Sequence, residues 1–169
     1  MQQCDLEGML CFLVRERDGI REVALATKKD GKWFYENGYG GKRRSDQTIE
    51  ECAVEEVRDE STVEVDVNDL QYHGYIDLYH NKELFGKGQG TSFRCHMYVV
   101  ERWIGTPQET DEMSAPTWYP VTQLPFERMW PDKKYWIEQV LIKRRAVYGE
   151  IVQGEEQKVI AARLRFEDI

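Results

Sequence analysis

Apolar and polar residues alternate along this chain in a way that predicts short strands and two helices. Residues 10–14 and 23–27 are apolar runs joined by a polar turn that ends at Gly19, which predicts a β-hairpin. Further strands are predicted at residues 70–79, 92–104 and 118–120, and a closing hairpin around Gly154 at 147–152 and 159–165. Strands that alternate with helices predict an α/β fold in which a mixed β-sheet lies between helices.

The first predicted helix begins after Thr48. Thr48 and Glu51 match a capping box, in which each side chain accepts the backbone N–H of the other residue. Ile49, Ala53 and Val57 then recur at intervals of four residues and give the helix one apolar face.

The second helix is predicted over residues 133–146. Its apolar positions include Trp136, Val140 and Leu141, and three basic residues follow at 143–145. Basic side chains are favoured near a helix C-terminus, because they interact with the negative end of the helix dipole.

The polar face of the first helix carries a cluster of carboxylates. Glu56 and Glu60 are four residues apart, so they lie one turn above the other, with Asp59 beside them. A glycine turn, Gly40-Gly41, precedes the helix and permits a close approach of the backbone. Carboxylate and backbone oxygens are the ligands that Mg²⁺ prefers, so a magnesium–diphosphate site is predicted here. The alternative, a solvated acidic face, is the commoner role of acidic helices in general.

Charge and cysteine content narrow the classes of function. The net charge of -8 argues against binding to a nucleic-acid polymer, because phosphate backbones require a basic surface. The four cysteines show no CxxC spacing and the three histidines are dispersed, so no zinc site is predicted.

The chain length predicts one domain: its 169 residues suffice for a single domain over 1–169. We see no signal peptide or membrane segment, and we expect a cytoplasmic monomer with reduced thiols and no membrane partner.

Residues 40–63, GGKRRSDQTIEECAVEEVRDESTV, resemble the Nudix box, whose usual form is G-x5-E-x7-R-E-U-x-E-E-x-G-U with U apolar. The resemblance implies the Nudix fold, an α/β/α sandwich with a mixed β-sheet. Aspartate replaces glutamate at position 59. The positions that match outright are Gly41, Glu56, Val57, Glu60 and Val63.

Three positions depart from the box. Gln47 stands in place of the first glutamate, and its carbonyl oxygen can still bind a metal, although without charge. Glu55 replaces the arginine that orients a catalytic glutamate in active relatives, and a basic residue of the preceding loop, 42–44, is expected to compensate. Thr62 replaces the second glycine. Because β-branched residues disfavour the left-handed conformation, a differently shaped helix exit is expected. Together the changes predict slowed or altered catalysis.

The resemblance extends to the MutT-type oxidised purine nucleoside triphosphatases of animals, and covers most of residues 8–166. These enzymes hydrolyse 8-oxo-dGTP and 2-hydroxy-dATP to monophosphates. The resemblance therefore implies a small nucleotide as substrate and Mg²⁺ as cofactor, with Mn²⁺ as the alternative. The segments that carry it lie at residues 28–29, 37–42, 106–113, 118, 124–126, 129–132 and 135–136.

The same resemblance assigns the metal and catalytic residues. Glu56 and Glu60 are implied as catalytic residues and metal ligands. Asp59 and the backbone of Gly41 are implied as further ligands, the carbonyl of Gly40 being an alternative to that of Gly41. Glu112 matches an acidic position near the metals, as a ligand or general base; a solvated loop glutamate is the alternative.

Four further residues are implied in substrate binding. Lys28 is placed at the phosphates, Trp130 stacks on the purine, and Asn37 and Asp132 bind its edge. Aromatic stacking accepts any base, so selectivity must come from the polar groups. Lys133 replaces the second of two adjacent aspartates of the relatives, and a lysine can only donate hydrogen bonds.

Two other functions remain open. A degenerate Nudix domain would bind a nucleotide or a protein partner without turnover, and Gln47 and Glu55 favour it. A Nudix hydrolase of another nucleoside diphosphate derivative, such as a dinucleotide or a nucleotide sugar, is favoured by Lys133 and by the long loop predicted at residues 80–90.

Overall fold

The computed structural model describes residues 6–32, 34–80 and 92–169, so most of the loop predicted at 80–90 lies outside the described residues. The strands are β1 (Leu6–Arg17), β2 (Ile20–Thr27), β3 (Glu36–Asn37), β4 (Tyr39–Lys42), β5 (Gln71–His80), β6 (Ser92–Val100), β7 (Thr117–Pro120), β8 (Arg145–Gln153) and β9 (Val159–Asp168). The α-helices of the described residues are α1 (Ile49–Ser61) and α2 (Ile137–Leu141). Short 3-10 helices lie at Val67–Asp69, Phe126–Arg128, Lys133–Tyr135 and Glu155–Gln157.

Strand β1 lies in the middle of the sheet. One edge pairs in parallel with β6, and the other edge pairs antiparallel with β4 and then with β2. The sheet continues from β6 to β5, β8 and β9, with β5 and β8 parallel. Nine described strands therefore form one sheet. The prediction of a mixed sheet is confirmed, and β3 and β4 are strands that the sequence analysis did not predict.

Alternate residues of β1 face two separate apolar cores. Leu10 and Phe12 belong to the core that contains α2, where the rings of Phe12 and Trp136 lie 6.1 Å apart. Leu13 packs on the other face against Val57 and its neighbours in α1. The two helices cover opposite faces of the sheet, which confirms the predicted α/β/α sandwich. Within the described part of the chain, no helix has the length and apolar character to cross a membrane.

The N-terminus of α1 has the predicted capping box. The Thr48 hydroxyl accepts the N–H of Glu51 at 3.1 Å, and the Glu51 carboxylate accepts the N–H of Thr48 at 2.8 Å. Ala53 and Val57 are fully buried, so the apolar face is also confirmed.

The second predicted helix is much shorter than expected. Trp136 has a φ of -144° and interrupts the helical conformation, which leaves only the five residues of α2. Arg145 already belongs to β8, and its guanidinium lies 2.8 Å from the carboxylate of Asp168 in β9. The prediction of a helix to residue 146 was wrong because pairing of β8 with its neighbours outweighs local helical preference.

The exit from α1 also differs from the expectation. Thr62 keeps the left-handed conformation that a glycine would adopt, with φ of 71° and ψ of -2°, and its N–H donates to the carbonyl of Arg58 at 2.8 Å. The chain thus closes the helix with the usual geometry and retains the strain of a Cβ in the left-handed region.

Thr62→Gly is therefore expected to raise the free energy of unfolding by about 1 kcal/mol. Relief of a left-handed residue contributes about 1–2 kcal/mol, and the greater unfolded-state entropy of glycine offsets about 0.5–1 kcal/mol of it. Urea denaturation measures the difference. Thr62→Ala keeps the Cβ and serves as the control, and a glycine variant no more stable than the alanine variant would contradict the strain.

Candidate active site

Glu60 is buried between α1 and the glycine turn. Its carboxylate is 1% exposed and accepts the N–H of Gly40 at 2.8 Å, and the Lys28 ammonium lies 3.9 Å away. Burial raises the pKa of Glu60 to about 7, although Lys28 and the Gly40 hydrogen bond act in the opposite direction. The negative charges of Glu56 and Glu112 raise this pKa further.

Glu56 lies against the second glycine of the same turn. A methyl group added at Gly41 would lie 2.5 Å from a carboxylate oxygen of Glu56, so only glycine leaves room for this side chain. Burial raises the pKa of Glu56; Lys28 lowers it in part, and the charges of Glu112 and Asp59 raise it. Two desolvated carboxylates of like charge thus meet the backbone at one place, and this donor set fits a hard divalent cation such as Mg²⁺.

The strand register distinguishes the two glycines of the turn. Arg43 donates its N–H to the carbonyl of Glu7 at 2.9 Å, and hydrogen-bonded pairs alternate along an antiparallel ladder. The backbone groups of Gly41 are therefore directed to β1, and those of Gly40 point away from β1, toward Glu60. By this register the carbonyl of Gly40 is not paired with β1, and the missing side chain of Gly41 leaves space for the Glu56 carboxylate beside it.

Asp59 and Glu112 lie at the rim of this arrangement. Both are exposed; Asp59 is 3.6 Å from the guanidinium of Arg58, and the backbone carbonyl of Glu112 accepts the N–H of Lys29 at 2.9 Å. Among residues 6–32, 34–80 and 92–169, no three Asp, Glu, His or Cys side chains form a group that could hold a metal ion. The structure thus brings Glu56 and Glu60 to the turn and leaves Asp59 and Glu112 outside it.

The unusual box positions 47 and 55 contact each other. Glu55 accepts a hydrogen bond from the Gln47 amide at 2.7 Å and one from the Arg44 guanidinium at 2.8 Å. These bonds lower the pKa of Glu55. The side-chain oxygen of Gln47 accepts the backbone N–H of Arg44 at 3.0 Å, so it is engaged within the loop and is not free to bind a metal. Arg44 is the loop residue that compensates the charge of Glu55.

A cavity of about 720 Å³ opens beside the glycine turn. It contains residues from both halves of the predicted site, those assigned to phosphates and those assigned to the base. Glu60, Asp59 and Glu112 are not among its lining residues. The predicted site residues that line it are Lys28, Asn37, Gly41, Glu56, Trp130 and Asp132.

The half of the cavity around Trp130 is aromatic. The ring of the half-buried Trp130 lies 4.7 Å from the ring of Tyr35, which also lines the cavity. Asn37 accepts the N–H of Gly38 with its side-chain oxygen at 2.9 Å. Sequence reasoning missed Tyr35, although the aromatic run at 33–35 gave a signal; Trp33 itself lies outside the described residues.

Asp132 is almost fully buried at the same cavity. One oxygen accepts the indole N–H of Trp136 at 3.0 Å, and the Lys133 ammonium lies 3.3 Å from both oxygens. Trp136 is a core residue, as predicted, and it also orients this carboxylate. Sequence reasoning missed three lining residues that strand order alone brings here, namely His80, Phe93 and Gln153.

This fold and these paired carboxylates agree with the comparison to known families. The model of the NUDIX domain matches residues 6–140, and the chain belongs to this family of hydrolases. It is similar to the oxidized purine nucleoside triphosphate hydrolase of Mus musculus, with 30% identity over 149 residues, 86% of this chain and 87% of that protein. The enzyme of the same name from Danio rerio is 35% identical over 138 residues, 79% of this chain and 81% of that protein.

Solved structures show the same fold. The mutator MutT protein from Bacillus halodurans has a TM-score of 0.76 at 19% identity, covering 94% of this chain and 97% of that one. The NUDIX domain of Shewanella oneidensis NrtR, complexed with ADP ribose, has a TM-score of 0.58 at 16% identity, covering 82% and 88%.

The buried carboxylate predicts a pH dependence of stability in metal-free protein. The pKa of Glu60, about 7 in the folded chain, exceeds its ordinary value of 4.5, so folding takes up a proton between these values. The free energy of unfolding should fall by about 2 kcal/mol as pH rises from 5 to 7. Glu60→Gln should remove this part of the slope.

Urea unfolding in EDTA across that pH range measures the slope. Glu64→Gln, a change of the same kind at an exposed glutamate, is the control and should keep the wild-type slope. If the free energy of unfolding changed equally with pH in wild type and in Glu60→Gln, Glu60 would be ionised normally and the prediction would be contradicted.

Proposed function

We propose that the chain is a Mg²⁺-dependent hydrolase of purine nucleoside triphosphates, including oxidised ones such as 8-oxo-dGTP or 2-hydroxy-dATP. It releases a monophosphate and pyrophosphate and so removes damaged nucleotides from the pool. The observation that carries this proposal is the single cavity shared by Lys28, Glu56, Asn37 and Trp130. The names of the two animal relatives, matched over about four-fifths of both chains or more, support the same class of substrate.

In this proposal Glu56, Glu60 and the carbonyl of Gly40 hold the cation, and Mn²⁺ is an alternative to Mg²⁺. When bound, the cation polarises phosphoryl oxygens and lowers the pKa of a bound water. The fit rests on the position of both carboxylates beside the glycine turn. Burial, with a smaller contribution from neighbouring negative charges, raises the pKa of both glutamates, and a bound cation would stabilise their ionised forms. Asp59 and Glu112 join from the rim when cation and substrate are present.

Side chains of this protein bind the phosphates and the base and accept the proton of the attacking water. Lys28, whose ammonium is half-exposed and 3.9 Å from Glu60, contacts the phosphates. Glu60 acts catalytically through the cation that it holds. Glu112, which is exposed at the rim, is the candidate for the base that takes the proton of the attacking water. Trp130 stacks on the purine.

A second candidate is a Nudix domain that binds nucleotides without turnover. Two observations favour it. The described residues hold no ready group of three metal ligands, and position 55 carries an acid in place of the orienting arginine. Measured turnover decides between this candidate and the hydrolase.

We also propose that residues 1–169 act as a single domain and as a cytoplasmic monomer on free nucleotides. The net charge of -8 opposes binding to nucleic-acid polymers. The described cysteines Cys11, Cys52 and Cys95 are buried as free thiols, which suits a reducing compartment.

Glu56→Gln is expected to lower hydrolysis at least about a hundredfold and to leave the fold intact, because the amide keeps the shape and removes the charge. The assay incubates protein and Mg²⁺ with 8-oxo-dGTP, 2-hydroxy-dATP, dGTP, dATP and a dinucleotide, and resolves the products by chromatography. Glu138→Gln, an exposed glutamate of α2, is the matched control.

Unchanged turnover in Glu56→Gln would remove the metal-site assignment. A wild-type protein that is silent with Mg²⁺ and Mn²⁺, yet shifts its melting temperature with nucleotide, would be the binding domain of the second candidate.

A further inference from the structure

Lys133 is a buried cation in the wall of the cavity. It is 5% exposed, it lines the cavity, and its ammonium is held 3.3 Å from both oxygens of Asp132 and 5.2 Å from the ring centroid of Trp136. An ammonium has three N–H donors and no acceptor. The wall therefore carries a donor whose position is fixed by its contacts with Asp132 and Trp136.

The acceptors beside this lysine are already engaged by the protein. Both oxygens of Asp132 accept from Lys133, and one also accepts the indole N–H of Trp136 at 3.0 Å. The oxygen of Asn37 accepts the N–H of Gly38, so the group that Asn37 still offers is its NH₂, a donor. Three of the about four lone-pair sites of the Asp132 carboxylate are therefore occupied, so its remaining acceptor capacity is small, and Lys133 and the Asn37 NH₂ are the donors of this wall.

Gln153 adds a further polar side chain to this wall. It is 4% exposed and lines the cavity. A side-chain amide at a cavity wall can hydrogen-bond a polar group that enters the cavity. Since an amide both donates and accepts, Gln153 binds either kind of base edge and leaves the choice to Lys133.

We infer that Lys133 is the specificity-determining residue of this cavity and selects 6-oxopurine nucleotides, the guanine class, over 6-aminopurine nucleotides, the adenine class. Guanine presents O6 and N7 as neighbouring acceptors, and adenine presents an amino group in place of O6. An amino group that faces an ammonium leaves donors on both sides unpaired, so the wrong base is rejected. The inference rests on the proposed function only in that a purine nucleotide occupies the cavity.

One consequence concerns the two oxidised purines named above. 8-Oxoguanine keeps its O6 carbonyl as an acceptor, although its N7 carries a proton and becomes a donor, whereas 2-hydroxyadenine keeps the 6-amino group. The choice between the two therefore depends on the group at position 6. This chain should therefore act on 8-oxo-dGTP and disfavour 2-hydroxy-dATP, although both belong to the range that the resemblance implies.

The test measures binding, so that it does not depend on turnover. Dissociation constants of dGMP and dAMP are determined by isothermal titration calorimetry for wild type and for Lys133→Met. Wild type should prefer dGMP by at least about tenfold, and Lys133→Met should reduce the preference below about threefold. Lys134→Met changes the neighbouring exposed lysine and should keep the wild-type preference.

Further variants guard against a folding defect. Lys133→Met leaves the buried carboxylate of Asp132 without its cation, which destabilises the chain. The double variant Asp132→Asn/Lys133→Met removes both charges and keeps an oxygen for the N–H of Trp136, so it should fold and show the same loss of preference. Lys133→Arg retains a cationic donor and should retain the preference. Thermal unfolding checks each variant.

Equal affinity of wild type for dGMP and dAMP, or an unchanged preference in the folded double variant, would overturn the inference. A wild type that prefers dGMP but hydrolyses no triphosphate would reject the proposed hydrolase and leave the role of Lys133 standing. Failure of the wild type to bind either monophosphate would also overturn the inference, whereas the proposed hydrolase is decided separately by measured turnover.

Discussion

The structure depends on the packing of two acidic side chains of α1 against a backbone turn without side chains. Glu56 fits only because position 41 has no Cβ, and Glu60 is buried only because the N–H of Gly40 is aimed at it. Burial of like charges is unfavourable in itself, and it raises the pKa of both carboxyl groups. Two other sets of contacts offset this unfavourable burial. The capping box and the apolar face of α1 fix the helix, and the pairing of β4 with β1 fixes the glycine turn against it.

The Nudix box of this chain differs from the usual pattern and still keeps its local structure. An acid at position 55 adds a negative charge beside the site, but Arg44 of the preceding loop neutralises this charge and Gln47 hydrogen-bonds the carboxylate. Thr62 retains the left-handed cap without a glycine. In both places the tertiary contacts impose a conformation or a charge balance that the residue type disfavours, which is common near functional sites.

The cavity combines an aromatic side with a charged polar side. Its aromatic side, Tyr35 and Trp130, places no demand on the identity of a base. Its polar side is an ion pair of Asp132 and Lys133, in which the acid also accepts the indole N–H of Trp136. Specificity in such a cavity follows from the groups left without partners, and these are not visible in a motif.

The sequence by itself determined the elements whose causes are local. The capping box at Thr48, the apolar stripe of α1 and the stacking of Glu56 above Glu60 all follow from spacings of three or four residues. The tertiary structure alone decided what depends on register and strand order: the conversion of the end of the second predicted helix into β8, the direction of the Gly40 carbonyl away from β1, and the presence of Gln153 in the cavity. Such features arise from contacts between residues far apart in the chain, and local spacing carries no information about them.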